Sequence, residues 1–163
     1  MNAQKAPIVI KKDNIVRERK AFSGVKGDSG WWSRAIFPTY VDTKGIMVGE
    51  SVINPGFPSH GWHDHTYDNK ENEEMQVEIE TKYPKKDNEY IFEEFYYIVS
   101  GKGIVQSETE DGKIMEQEVN AGDFVFFPRG VAKNQLFNNG TEKIFIIWGG
   151  TPVPEINVRP LKK

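Results

Sequence analysis

Short runs of β-branched and aromatic residues recur every eight to twelve residues from Ala35 onward. Glycine, proline, asparagine and aspartate separate these runs. Such spacing is typical of all-β proteins, and the sequence contains no long amphipathic helical pattern. The pattern therefore predicts an all-β chain built from short strands.

The alternation of apolar and polar residues predicts ten strands. We expect them near residues 35–43, 46–53, 61–65, 75–83, 95–99, 104–108, 113–119, 124–127, 132–137 and 144–148. Residues 110–113 contain Asp-Gly and residues 138–141 contain Asn-Gly, two dipeptides favoured in hairpin turns. An antiparallel barrel or sandwich follows. Residues 11–20 form the one stretch where we expect a short helical turn.

Length and charge exclude several classes of partner. The chain has 163 residues, the size of one ordinary domain. A net charge of −3 gives no basic field, so we expect no nucleic-acid partner. No apolar run approaches the ~20 residues of a membrane helix, and the N-terminus resembles no secretory signal, so we expect a cytoplasmic protein with no membrane partner. Because cysteine is absent, metal ligands are limited to histidine, carboxylate and amide groups.

The three histidines of the chain, His60, His63 and His65, fall within six residues. On a strand, residues two apart point to the same face, so His63 and His65 are expected to project together. Two neighbouring imidazoles are suitable ligands for a divalent transition metal. The alternative is a polar pair on the protein surface.

Two glycine-bounded segments accompany the histidine pair. Glu94 begins a largely apolar run that ends at Gly101, and Gly122 is followed by Pro128 and Gly130. In these features the sequence resembles the cupin superfamily over roughly residues 35–150. The resemblance implies a double-stranded β-helix, the cupin or jelly-roll barrel. Residues 1–34 would then be an N-terminal arm with a first strand, and residues 151–163 a C-terminal tail.

The resemblance also implies that His63, His65 and Glu94 bind a divalent metal ion, which could be iron, manganese, zinc or nickel. Between His65 and Glu94 lie 28 residues (93 minus 65) where the family has three or four. We interpret residues 66–93 as an inserted charged flap. Its carboxylates Glu71 and Glu74 are rival ligands to Glu94.

A second departure from the family pattern is Lys133, which occupies the place expected for a fourth ligand, a histidine. Lys133 is a candidate general base or a cationic clamp for an anionic substrate, and the alternative is a lysine at the barrel rim. Gln135 lies on the same predicted strand face as Lys133 and is a candidate substrate-binding amide. An ordinary strand glutamine is the alternative.

Aromatic residues and the remaining histidine complete the candidate site. Tyr96 shares a predicted strand face with Glu94, so its phenol is a candidate acid catalyst or, alternatively, a packing residue. His60 is a candidate catalytic residue as a spare ligand or proton shuttle, or else a solvated loop residue. Trp62 is a candidate substrate contact. Together with Trp31 and Trp32 it would cover the cavity mouth, form a dimer contact or pack in the core.

These residues predict a metal-dependent enzyme that acts on an oxygen-rich small molecule, such as a sugar, hydroxy acid or keto acid, by isomerase or lyase proton transfer. The alternatives are a non-haem iron dioxygenase and a non-catalytic or metal-free sugar- or acid-binding cupin. A homodimer is expected as well, because barrels of this kind pair through exposed edges. The apolar segment of Ile8, Val9 and Ile10 would cross to the partner.

Overall fold

The computed structural model describes residues 8–15, 17–19, 28–33, 35–36, 46–59, 77–80, 93–109, 111–128, 133–150 and 157–160. Within these ranges the chain is all-β apart from one turn of 3-10 helix, Lys12–Asn14. No helix in the described ranges is long and apolar enough to cross a membrane.

The larger sheet contains six strands in the order β1-β2-β3-β10-β5-β8, and every neighbouring pair is antiparallel. Its strands are β1 (Arg17–Arg19), β2 (Gly30–Ser33), β3 (Met47–Ile53), β5 (Glu94–Ser100), β8 (Phe124–Phe127) and β10 (Ile144–Gly150). The antiparallel pairing agrees with the alternating burial of β3 and β5, in which one face is buried and the other is half-exposed or exposed.

A second sheet of three antiparallel strands has the order β7-β6-β9. It consists of β6 (Lys102–Glu108), β7 (Ile114–Asn120) and β9 (Lys133–Phe137). The turn between β6 and β7 contains Gly112 at φ 78°, a backbone conformation that glycine adopts without strain. The Asp-Gly hairpin predicted from the sequence is therefore confirmed.

A short two-stranded sheet joins β4 (Val77–Glu80) to β11 (Asn157–Pro160). β4 lies within the charged segment 66–93, and β11 lies in the segment predicted as a C-terminal tail. The described part of the charged segment is thus paired with the end of the chain. The rest of that segment lies outside the described residues, and its interpretation as a flap stays a prediction.

The core lies between the two larger sheets. Apolar side chains from both sheets form one cluster of buried residues: Ile53, Tyr96, Ile98, Val105, Val119, Phe127, Leu136, Ile144 and Ile146. Fully burying an aliphatic side chain of this size contributes ~1.5–3 kcal/mol through removal of apolar surface from water. Within the cluster, the rings of Tyr96 and Phe127 meet edge to face with centroids 5.0 Å apart. The interior of the barrel is therefore largely apolar, and each polar group in it requires a physical explanation.

One predicted hairpin is wrong. The Asn-Gly segment connects β9 in the three-stranded sheet to β10 in the six-stranded sheet, so it is a corner between sheets. The fully buried Asn138 holds this corner. Its amide nitrogen donates to the carbonyls of Ile53 (3.0 Å) and Glu142 (2.8 Å), and its amide oxygen accepts from the backbone N–H of Gly140 (3.0 Å).

Candidate functional site

Glu94 and Tyr96 face the interior of the barrel from β5. Both are buried, whereas Phe95 and Tyr97 between and beyond them are only half-buried. The Tyr96 hydroxyl donates a hydrogen bond to Oε2 of Glu94 at 3.3 Å. Glu94 is the one buried carboxylate among the described side chains, with 8% of its surface exposed. Carboxylates are rarely buried unless they have a specific partner or bind a ligand, so this position identifies a candidate site.

Burial raises the pKa of the Tyr96 phenol well above its ordinary value, because an apolar environment disfavours the phenolate. The negative charge of Glu94 and the hydrogen bond to Glu94 act in the same direction, whereas a hydrogen bond with Ser59 acts in the opposite direction. Tyr96 is therefore a neutral hydrogen-bond donor at physiological pH. In this state it can donate a hydrogen bond but cannot accept a proton as a phenolate base.

Ser59 connects this pair to the opposite sheet. Its backbone N–H donates to the carbonyl of Leu136 (2.6 Å), and its hydroxyl oxygen accepts from the backbone N–H of Leu136 (3.1 Å). Since Ser59 also interacts with the Tyr96 phenol, a continuous set of hydrogen bonds runs from Glu94 on β5 to the backbone of β9. Both sheets therefore determine the position of the Tyr96 hydroxyl.

Asn134 lies two residues before Leu136 on the same face of β9. It is fully buried, and neither its amide oxygen nor its amide nitrogen has a hydrogen-bond partner among the described residues. Buried amides in native proteins are almost always hydrogen-bonded. Asn134 is thus a polar group inside an apolar core, with both a donor and an acceptor available.

Gln135, on the other face of β9, belongs to a separate polar row. Its amide nitrogen donates to Oε1 of Gln106 at 2.6 Å, and the amide nitrogen of Gln106 donates to Oε1 of Glu116 at 2.6 Å. The row crosses the three-stranded sheet from β9 through β6 to the exposed strand β7. Gln135 is therefore bonded within the sheet, and its predicted role in substrate binding stays a prediction.

Two comparisons identify the fold. Residues 72–145 match the family model of the EutQ-like cupin domain. The structure also resembles the crystal structure of a predicted oxalate decarboxylase from Thermotoga maritima, with a TM-score of 0.59 and 19% sequence identity over 88% of this chain and 98% of that chain. The chain has the cupin fold.

Other solved structures have the same fold as this cupin. An IolB-like protein from Salmonella typhimurium aligns with a TM-score of 0.66 and 16% identity over 96% of this chain and 54% of that chain. Oxalate decarboxylase OxdC from Bacillus subtilis aligns with a TM-score of 0.56 and 17% identity over 84% of this chain and 29% of that chain. This cupin thus spans about half of the Salmonella protein and less than a third of the Bacillus protein. No curated protein matches the sequence.

The structure gives the place of one of the three predicted metal ligands of this cupin. Glu94 lies in the interior as expected, whereas His63 and His65 lie outside the described residues. Within the described ranges, no three histidine, aspartate or glutamate side chains form a cluster suited to a metal ion. Glu94 fits the predicted role, because it offers a buried oxygen donor on the interior face.

The structure describes some of the other predicted site residues and not the rest. The contact of Tyr96 with Glu94 agrees with their expected common face. His60 and Trp62 lie outside the described residues, as does the side chain of Lys133. The roles of all these residues stay predictions.

Trp31 and Trp32 each pack against another aromatic residue. Trp31 lies 6.4 Å from Phe145 between ring centroids, and the Arg17 guanidinium lies 5.0 Å from the centre of its ring. The ring centroid of Trp32 is 6.3 Å from that of Trp148. Aromatic packing therefore accounts for both residues, and a role at a cavity mouth or a dimer contact stays a prediction.

Asn134 is the interior residue that the sequence analysis missed. The family spacing pointed to Lys133, which pairs with Glu108 at the register position before Asn134. The sequence of β9 contains no clear signal, because Leu136 shares the parity of Asn134 and the equally apolar Phe137 shares that of Lys133.

Proposed function

We propose that this cupin is a metal-dependent enzyme that acts on an oxygen-rich small molecule by isomerase- or lyase-type proton transfer. The observation that supports the proposal is the buried carboxylate of Glu94, held at 3.3 Å by the hydroxyl of Tyr96 inside the barrel. A carboxylate in an apolar interior is costly for folding, so it indicates a functional requirement.

In this proposal Glu94 binds a divalent metal ion together with His63 and His65. Such an ion supplies Lewis-acid polarisation of a substrate oxygen. Two histidines and one carboxylate leave coordination positions for the oxygens of a hydroxy acid, keto acid or sugar. Tyr96, a neutral phenol, donates a hydrogen bond to Glu94 and is suited to donate a hydrogen bond to a substrate oxygen.

The names of two structural neighbours agree with a small acid as the substrate class, because both are described as oxalate decarboxylases. CapF from Staphylococcus aureus, a capsular polysaccharide assembling protein, has the same fold with a TM-score of 0.54 and 17% identity, and the chain covers 34% of its length. At these identities the likeness shows the fold alone. The choice of an acid substrate therefore depends on the interior groups of this chain.

Metal analysis tests the proposal. We expect tag-free protein to contain a near-stoichiometric divalent metal by plasma mass spectrometry, and we expect His63→Ala/His65→Ala protein to lose it while circular dichroism shows unchanged strand content. Iron would favour the alternative dioxygenase chemistry, whereas zinc, manganese or nickel would favour Lewis-acid chemistry. Absence of metal from both proteins after reconstitution would reject the proposal in favour of a metal-free binding barrel.

We also propose that the protein is a homodimer. In support, β8 is at one edge of the six-stranded sheet among the described strands, and Phe124 and Phe126 on it are 73% and 62% exposed. Large apolar side chains on an edge strand are unusual for a monomer. The predicted crossing segment also contains exposed apolar residues, Ile8 and Val9. A gel-filtration mass near 18.6 kDa would contradict the dimer.

A further inference from the structure

Asn134 is the most unusual polar group in the described core. Its side chain is fully buried, yet both polar atoms lack a hydrogen-bond partner among the described residues. Leaving a buried donor and a buried acceptor unsatisfied destabilises the folded protein. Exchange of the amide oxygen and nitrogen would not remove this deficit, since neither atom has a partner.

Asn134 lies on the same strand face as a residue of the core cluster that contains Tyr96. Leu136, two residues further on the same face, belongs to the same core cluster as Tyr96. The backbone of Leu136 is bonded to Ser59, which interacts with the hydroxyl that contacts Glu94. Asn134 and Glu94 therefore belong to one connected interior, in which Glu94 provides a carboxylate and Asn134 an amide.

We propose that Asn134 is the specificity-determining residue of the barrel interior and binds a small ligand that carries a hydroxyl group beside a carboxylate, a 2-hydroxy acid. The amide nitrogen donates to a carboxylate oxygen of the ligand, and the amide oxygen accepts from the neighbouring hydroxyl. A 2-keto acid satisfies only the nitrogen, because a carbonyl has no proton to donate. The inference deepens the proposed function, since it concerns the substrate of the same interior.

Thermal stability provides the first test, and Asn138 is a matched control. Asn138 is also fully buried, but its amide is fully bonded to Ile53, Glu142 and Gly140. We expect Asn134→Leu to raise the Tm of the ligand-free protein by about 3 °C or more, because two unsatisfied groups are removed. Asn138→Leu should lower the Tm. A fall in the Tm of Asn134→Leu would show that its amide is structurally bonded, and would overturn the proposal.

Ligand binding provides the second test. Lactate and pyruvate differ only in the hydroxyl, and their binding to the full-length protein as purified can be compared by saturation-transfer NMR. We expect lactate to bind about tenfold more tightly than pyruvate, a preference that is lost in Asn134→Leu and kept in Asn120→Leu, the same change at an exposed site. Equal binding of the two acids, or binding of neither, would overturn the proposal.

Metal content of the same samples separates this inference from the proposed function. A lactate preference that depends on Asn134 in protein without metal would reject the metal-dependent function and leave the role of Asn134 intact. Metal in the wild type together with no lactate preference would support the metal-dependent function and reject the role of Asn134. Loss of metal in Asn134→Leu would make Asn134 a metal ligand, and would overturn its assignment as the specificity residue.

Discussion

Asn138→Ala is expected to destabilise the protein by about 3 kcal/mol or more. The substitution removes three hydrogen bonds, two donated to the carbonyls of Ile53 and Glu142 and one accepted from Gly140. A buried backbone group left without a partner costs ~1–3 kcal/mol, which applies in full to the Ile53 carbonyl, and the part-buried bonds to Glu142 and Gly140 add less. Urea denaturation followed by tryptophan fluorescence measures the loss as a lower midpoint at unchanged slope.

A charged residue at position 138 provides a second test of the buried amide. Asn138→Asp keeps an acceptor for the backbone N–H of Gly140 but places a carboxylate against two carbonyl oxygens, so it should destabilise at least as much as Asn138→Ala. Asn139→Ala is the matched control, because Asn139 is exposed in the same turn. If Asn138→Ala and Asn139→Ala had equal urea midpoints, the buried amide of Asn138 would not contribute to the stability of the corner.

The strands that form the core could be predicted from the sequence because each has one buried face. β3, β5 and β8 alternate in burial, as do the first four residues of β6 and of β10, and the predicted ranges of all five overlap the observed ones. The ten predicted strands did not include β1, β2 or β11, although a first strand was expected within residues 1–34. β1 pairs with β2, and β2 also pairs with β3. β11 pairs with β4, which is nearly half the chain away in sequence. A strand of three or four residues has too little alternation of its own to be recognised without its partner.

The corner at residues 138–143 shows a different limit of sequence analysis. Asn-Gly between two strands favours a two-residue hairpin, and the local sequence is compatible with one. In the structure, β9 and β10 belong to different sheets. The Asn138 amide between them is bonded to Ile53 at the end of β3, in the sheet that contains β10. A contact 85 residues distant in sequence thus determines the direction of the chain. Turn composition alone contains no information about such a contact.

The common buried face of Glu94 and Tyr96 was predictable from the sequence, whereas the burial of Asn134 was not. An apolar run with Glu94 at its start placed the carboxylate and the phenol on one face, and the hydrogen bond between them agrees with that placement. On β9 the family spacing selected Lys133, whose side chain lies outside the described residues. The local sequence has an apolar residue on each face of the strand, Leu136 on one and Phe137 on the other, so it does not identify Asn134 as buried. Only pairing with β6, in which Leu136 lies opposite Val105 in the core, reveals the correct face.

Glu94→Gln is expected to lower the metal affinity of this cupin at least about 100-fold, since it removes the anionic ligand. Glutamine has the shape of glutamate and keeps an acceptor for the Tyr96 hydroxyl, so the fold should persist. Without metal, the variant should be as stable as the wild type or more so, because a buried charge has been removed. Competition with a chromogenic chelator measures the affinity, and thermal melting in excess chelator measures the stability.

Controls for Glu94→Gln distinguish the interior carboxylate from its rivals. Glu118→Gln makes the same change on the exposed strand β7 and should leave the metal affinity unchanged. Glu71→Gln and Glu74→Gln test the two carboxylates of the charged segment that the sequence left as alternatives. If Glu94→Gln retained wild-type affinity while one of these variants lost it, the metal ligand would be that residue. The buried carboxylate of Glu94 would then act on the substrate directly, as a proton acceptor beside the neutral phenol of Tyr96.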